Sequence, residues 1–421
     1  MKWYKKFKWF YPGIRIKRWI SLSALGVIVV IFGAARFIID KLLFIRVLDA
    51  LILFAGILII ISGVRSMIQS FLGIFLPHFE EDLVDIVYKK RYLERGPKIV
   101  ALGGGHGLSN LLMGLKEYTT NLIAVVTVAD SGGSTGRLRE DFDVPAPGDI
   151  RNCIVALADA PSFMGELFQF RFKQDSELNG HNFGNIFITA MTQLTGDFKR
   201  AVEESSKVLA IRGKVLPSTL NKVSLVAEYE DGTVIEGEAK IPKKKAIIKK
   251  VYLKTNHSEG DKKILPTPEV IEEIKNAEII VIGPGSLYTS ILPNLVIKEI
   301  SDAIAKSTAI KIFVCNVMTQ HGETDNYSVA SHLKALIEHT NPKIVEYCVI
   351  NTKIPEEIML NKYKKEKAYP IQGQALEIKR MGYKIIQGNV IHSTDCVRHD
   401  PKKLAKSILN TFRREQLRKE F

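Results

Sequence analysis

Three times along this chain a short apolar run breaks off into a glycine-rich loop, and that recurrence limits the possible folds more than any other feature. Lys98–Leu102 leads into Gly103-Gly104-Gly105-His106-Gly107, after which Leu108, Leu111, Leu112 and Leu115 recur at helical spacing. Leu122–Ala129 ends in Asp130 and passes into Ser131-Gly132-Gly133-Ser134-Thr135-Gly136-Arg137-Leu138-Arg139. Glu278–Ile282 ends in Gly283-Pro284-Gly285-Ser286. Strand, tight turn and helix in that order build an open parallel α/β sheet, whose ligands sit outside the carboxyl ends of the strands. Glycines let backbone N–H groups approach an oxyanion, and a helix N-terminus adds partial positive charge. A phosphate-bearing ligand is therefore expected.

The candidate ligand contacts are Gly103, Gly104, Gly105, His106 and Gly107 from the first loop, with Gly283, Gly285 and Ser286 from the third. From the second, Asp130 suits a ribose hydroxyl or a metal ion; Gly132, Gly133, Ser134, Thr135, Arg137 and Arg139 suit phosphate oxygens. Neither common nucleotide motif fits. Leu108 stands where the dinucleotide fingerprint needs its third glycine, and there is no Gly-Lys-Ser/Thr. That weighs against a nicotinamide-dependent reductase.

Further candidates follow the second loop. Pro145-Ala146-Pro147-Gly148-Asp149-Ile150-Arg151-Asn152 is a stiff turn opening a helix, and it adds Gly148, Asp149, Arg151 and Asn152 to the pocket. Asn179–Asn185 precedes the apolar helix Ile186–Leu194 and adds His181 and Asn185. Near the end, Asp400 and Pro401 start a last helix as cap and first-turn proline, which leaves Arg398 at the mouth as an anion clamp. Asp130, Asp149 and His181 are the candidates for acid–base or metal chemistry; none stands in the context of an evident catalytic base.

Between the second and third loops the pattern changes. Val223, Leu225, Ala227 and Tyr229 alternate with more polar neighbours, and Glu230-Asp231-Gly232-Thr233 reads as a hairpin turn. An inserted antiparallel β subdomain over residues 214–260 is expected, covering the crevice or making an oligomer contact. The α/β alternation resumes with strands at Lys311–Val314 and Lys343–Ile350; the first leads into the polar run Asn316–Thr324. The soluble part then divides into residues 98–213, the insertion, and 261–421.

The N-terminus is of another kind. Seven basic and no acidic side chains occupy the first eighteen residues. Apolar runs follow at Trp19–Ile39 and Val47–Val64, each close to the ~20 residues that cross a bilayer. No small-x-small cleavage site closes the first run, so a transmembrane hairpin over residues 1–65 is expected rather than a signal peptide. Basic residues on both flanks put both termini in the cytoplasm, with a short external turn at Arg36–Arg46. Lys5–Trp9 and Trp19 read as interfacial anchors. Residues 66–97 form a connector in which Leu83, Ile86 and Val87 suggest a short amphipathic helix.

A net charge of +14 suggests acidic partners, which here means phosphate ligands and lipid headgroups; no nucleic-acid motif is present. Cys153, Cys315, Cys348 and Cys396 lie far apart, as expected of reduced core thiols and not of a zinc site or disulfide framework.

Taken in order, these loops resemble the YvcK family, the gluconeogenesis factors of the CofD-like superfamily. Gly103–Ser109, Ala129–Arg139, Pro147–Asn152, His181–Asn185, Ile282–Asn294, Cys315–Asp325 and Arg398–Pro401 carry the resemblance, which spans about Lys98 to Ile408. It implies a Rossmann-like fold with an inserted β subdomain. It also implies binding of UDP-sugars such as UDP-N-acetylglucosamine, and a regulatory role linking carbon metabolism to cell-envelope synthesis and cell shape, with envelope-synthesis proteins as partners. No cofactor is then required. CofD relatives are 2-phospho-L-lactate transferases that move a phospholactyl group from a guanosine diphosphate donor to a deazaflavin; that reading would use Mg2+, with Asp130 its candidate ligand here. Two departures matter. Many members carry an acidic pair where this chain has Asp130-Ser131, which weakens a magnesium site. Many also begin near the first strand, without a hairpin.

Overall fold

In the structure, a computed structural model, residues 16–39, 42–75, 91–159, 162–173, 177–255, 263–392 and 396–420 are described. They fall into two compact units, Met1–Val87 and Tyr88–Phe421. The connector's amphipathic segment at Leu83–Val87 and the basic anchor at Lys5–Trp9 lie outside the described residues.

Among the described residues the first unit holds two helices, Ile16–Ile39 and Leu43–Phe75. Within them Arg18–Ile39 and Phe44–Ser70 are long and apolar enough to cross a membrane. Glycines let their backbones approach. A Cβ on Gly26 would lie 2.9 Å from the Ile60 nitrogen, and one on Gly56 2.9 Å from the Val30 nitrogen. Such small-residue contacts hold helices together where no hydrophobic drive separates lipid from side chain. Asp49 is fully buried and pairs with Arg36 at 3.2 Å. We expect Gly56→Leu to splay the hairpin, at a cost of ~1–3 kcal/mol from overpacking; a longer interhelix distance between spin labels would register it, and an unchanged distance would refute it.

The second unit is built on a seven-stranded, all-parallel sheet. Its strands are β1 (Ile99–Gly103), β2 (Leu122–Val126), β3 (Lys214–Pro217), β7 (Ile279–Ile282), β8 (Ile310–Val314), β9 (Tyr347–Asn351) and β10 (Lys384–Gly388). They lie in the order β10-β9-β8-β7-β1-β2-β3. Every residue of β1, β2, β7 and β8 is buried, and these strands carry almost only apolar side chains, as a sheet covered by helices on both faces demands; the exception is Lys311 in β8, whose Nζ pairs with Glu346 Oε1 at 2.8 Å. The outer strands β3 and β10 keep exposed positions.

The chain runs outward from β1 through β2 to β3, then returns to β7 on the other flank of β1, where Ile99 pairs with both Leu122 and Ile279. This reversal is the Rossmann-type switch point, and it opens a crevice at the carboxyl ends of β1 and β7. Helix Gly105–Leu115 follows β1 and packs on the last helix, Pro401–Glu420; a Cβ on Gly114 would overlap the Pro401 carbonyl.

The inserted sheet has the order β5-β4-β6, formed by β4 (Val223–Tyr229), β5 (Val234–Glu236) and β6 (Ile248–Thr255), all antiparallel. Val223, Leu225, Ala227 and Tyr229 are all buried, and Gly232 turns the β4–β5 hairpin at φ +80°. Two boundaries differ from expectation. Lys214–Pro217, expected to open the insertion, is the edge strand β3 of the large sheet, paired to β2 through Val215 and Leu216. The run expected as a strand from Lys343 begins with a 3-10 turn, Pro342–Ile344, and is extended only from Tyr347.

Candidate functional site

The cleft at the switch point has a volume of about 610 Å³. Its walls come from four chain segments that are remote in sequence: Gly104–Gly107, Pro284–Ser286 with Ser290, the loop Asn316–Glu323 after β8, and Val397–His399. Asn110, Tyr363, Glu366, Ala368 and, from the insertion, Pro242 complete the lining.

The first loop is shaped by what lies behind it. A Cβ on Gly104 would overlap the Asp149 carboxylate, and Gly105 takes φ +60° as the helix starts. The Gly105 N–H donates to Asp149. The His106 and Gly107 amides belong to the helix's first turn, whose N–H groups have no intrahelical partners. Gly107 also meets the third loop backbone to backbone, since a Cβ there would lie 2.5 Å from the Pro284 oxygen. In that loop Gly283 (φ +80°) and Gly285 (φ +156°) make the turn, and the Gly285 N–H donates to Asn316 Oδ1 at 3.1 Å. Arg398 stands exposed at the rim, one residue before the buried His399. Burial lowers the His106 pKa, and Arg398 and Arg151 lower it further, which favours the uncharged imidazole.

Of the expected contacts, Gly103, Gly283, the second loop, Gly148, Asp149, Arg151, Asn152, His181 and Asn185 are not among the lining residues; the second loop braces the cleft from the side. Ser134 Oγ accepts the Asn182 N–H at 3.1 Å and lies 3.3 Å from His181 Nδ1. Asn185 Nδ2 donates to Ser134 Oγ and Thr135 Oγ1, both at 3.3 Å. Arg137 donates to the Asn179 carbonyl at 2.8 Å. The Arg139 guanidinium, expected on a phosphate, donates instead to the carbonyls of Asp130 and Val223, each at 2.7 Å. Asp130 Oδ1 accepts the Gly132 N–H at 2.8 Å; Gly133 takes φ +44° at the start of the following helix.

Gly148 allows helix Gly148–Leu157 to pack on this loop, because a Cβ there would sit 2.9 Å from Asp130 Oδ2. That contact seats Asp149 behind Gly104. Arg151 is buried, its Nη2 2.6 Å from Asn152 Oδ1, and burial pulls its pKa down to about 10. Burial and Arg137 lower that of His181.

Three carboxyl groups nearby hold their protons unusually tightly. Burial, then Asp130, raises the Asp149 pKa to about 7, against the help of Gly105, Arg151 and Asn152. Glu238 is raised by burial and by Asp130 and Asp149. Glu323, which lines the cleft, is pushed up to about 7 by burial. Among the described residues no three His, Cys, Asp or Glu side chains are grouped to hold a metal ion.

The insertion reaches this region through the 3-10 segment Glu238–Lys244. Ala239 N–H donates to Ser131 Oγ at 3.2 Å, and Gly322 (φ +87°) abuts the Pro242 carbonyl with no room for a Cβ. Pro242, Tyr363 and Glu366 were not foreseeable from local pattern. The β8 loop was visible as a polar run at a strand end but carried no glycine signature.

A family model described as 2-phospho-L-lactate transferase CofD matches residues 99–391. The gluconeogenesis factor of Bacillus subtilis is 46% identical over 319 residues, 75% of this chain and 98% of its own. A protein of Nostoc sp., provisionally given the same name, is 43% identical over 96% of this chain and 92% of its own; so long an alignment takes in the two apolar helices. A crystal structure of a Bacillus halodurans protein, 44% identical, superposes with a TM-score of 0.72 over 75% of this chain and 100% of that one. From the strand-end loops, the sheet order and these likenesses together, the chain belongs to the CofD family, on the branch whose members are named gluconeogenesis factors (YvcK).

Proposed function

We propose that this chain is a membrane-tethered binding protein for a nucleotide-sugar of the UDP-N-acetylglucosamine type, and that it acts as a regulatory factor between central carbon metabolism and envelope synthesis, with an influence on cell shape. The observation that carries the reading is the cleft itself. At about 610 Å³ it is of ligand size, and it joins the first turn of a helix, His106 and Arg398 at the one place where the strand order reverses. The two apolar helices, crossing the cell membrane with both termini in the cytoplasm, would keep this cleft on the side where nucleotide-sugars are made. An enzymatic reporter fused to the C-terminus that is active only outside the cell should stay silent; activity there would refute the topology.

Isothermal titration of the full-length chain in detergent with UDP-N-acetylglucosamine tests the binding. Saturable heat at micromolar to millimolar ligand is expected, and its absence would sink the reading. Arg398→Ala should weaken binding roughly tenfold or more, the worth of a charge-assisted hydrogen bond. Its exposed position makes a parallel loss of stability small.

Two observations favour a second reading, a phospholactyl transferase. The family model is described by that activity, and Asp130, Asp149 and Glu238 interact electrostatically beside the first loop. Magnesium, a guanosine diphosphate donor and a deazaflavin acceptor should then yield product, and Asp130→Asn should abolish it.

A further inference from the structure

The cleft has two chemically opposite walls. On one side lie the Gly104–Gly107 turn and Arg398, which offer donors and positive charge. On the other lies the loop after β8, where two acceptor atoms are buried without a hydrogen-bond partner: Gln320 Oε1 and His321 Nε2. Both residues line the cleft.

Each side chain is fixed by its other end. Gln320 Nε2 donates to Ser286 Oγ at 2.7 Å, which leaves the amide carbonyl as the free group. His321 Nδ1 lies 2.9 Å from Asp325 Oδ1, while Asp325 Oδ2 accepts the Gly322 N–H at 2.7 Å. A carboxylate so placed keeps the imidazole proton on Nδ1 and leaves Nε2 as an acceptor. Glu323, next but one along the loop from His321, adds a buried carboxyl held by Thr289 Oγ1 at 3.3 Å. Buried acceptors without donors are costly, and a bound group that brings donors removes that cost. A phosphate brings none; near acceptors and a carboxyl it is repelled.

We propose that this wall is a sugar subsite, in which Gln320 Oε1 and His321 Nε2 accept hydrogen bonds from hydroxyl or amide N–H groups of a sugar joined to the diphosphate. The inference rests on reading the cleft as a nucleotide-sugar site and goes further, assigning polarity along the ligand: the diphosphate lies at the glycine turn and the sugar at the loop after β8. It makes these two residues the source of discrimination between a nucleoside diphosphate and its glycosylated form.

Titrating the full-length chain in detergent with UDP and, separately, with UDP-N-acetylglucosamine tests this. The unaltered chain should bind the sugar nucleotide at least ~10-fold more tightly than UDP, the scale set by one or two buried hydrogen bonds. Gln320→Met and His321→Phe should each erase most of that ratio while leaving UDP affinity unchanged. Gln320→Glu, which keeps an acceptor, should preserve the ratio even if both affinities fall. Equal losses for UDP and the sugar nucleotide would mean that these residues read the base, and would overturn the inference; so would ratios that do not move. Binding of neither ligand by the unaltered chain would bring down the nucleotide-sugar reading together with this one.

Discussion

Gly107→Ala is expected to weaken UDP-N-acetylglucosamine binding on the order of a hundredfold, equivalent to about 3 kcal/mol. The added Cβ would lie 2.5 Å from the oxygen, 2.8 Å from the carbonyl carbon of Pro284 and 2.9 Å from the Gly285 nitrogen. All three are backbone atoms, so no side chain can swing aside. The junction between the first and third loops has to open, moving the helix's first turn away from the third loop. Titration calorimetry measures the loss. Gly165→Ala serves as the control: it lies in helix Ser162–Gln169 at ordinary φ with nothing within 4 Å of its Cβ, and should bind normally. Normal binding by Gly107→Ala would mean that the touching loops are not what shapes the site.

The second large effect is a dependence of stability on pH. Asp149 is held at a pKa of about 7, above its ordinary 3.8. Between those values the folded chain binds a proton that the unfolded chain releases, so this group's contribution to stability falls as pH rises from about 4 to about 7 and then levels off. Asp149→Asn keeps an acceptor for the Gly105 N–H and removes the titration. At pH 4 the variant and the unaltered chain should be of similar stability. By pH 8 the variant should be the more stable, by up to about 4 kcal/mol, because each tenfold change in proton affinity is worth ~1.4 kcal/mol. Urea unfolding followed by circular dichroism across that range checks it. A difference independent of pH would show that the carboxyl group is charged throughout.

Much of this site could be read from local pattern, because strands buried on both faces must be apolar and glycines mark where backbone approaches backbone. The lining stretches Gly104–Gly107 and Pro284–Ser286 are legible that way, as is Arg398 beside the cap of the last helix, where Asp400 Oδ1 accepts the Lys403 N–H at 2.9 Å. The second loop could not be resolved by the same means. Its hydroxyls and guanidiniums look like phosphate ligands in isolation. Whether they meet a phosphate or the protein depends on neighbours supplied by tertiary structure: Asn182 and Asn185 for Ser134, and the Val223 carbonyl for Arg139, 84 residues away. Lys214–Pro217 is misplaced by local pattern for a related reason, since four residues carry too little periodicity to tell an edge strand from the start of an insertion.

The switch point also sets the order in which the molecule can assemble. Lys98 N–H donates to Glu278 Oε2 at 2.8 Å, across 180 positions of chain. At roughly 5–20 residues per second of synthesis, β1 is made some ten to forty seconds before β7, the neighbour that completes the middle of the sheet. Until then a fully apolar strand has one flank open, and the half-made protein depends on the helices between β1 and β3 to keep it from wrong partners. Aggregation during slow translation should therefore be governed by how early Gly105–Leu115 and Gly148–Leu157 dock, well before any ligand can bind.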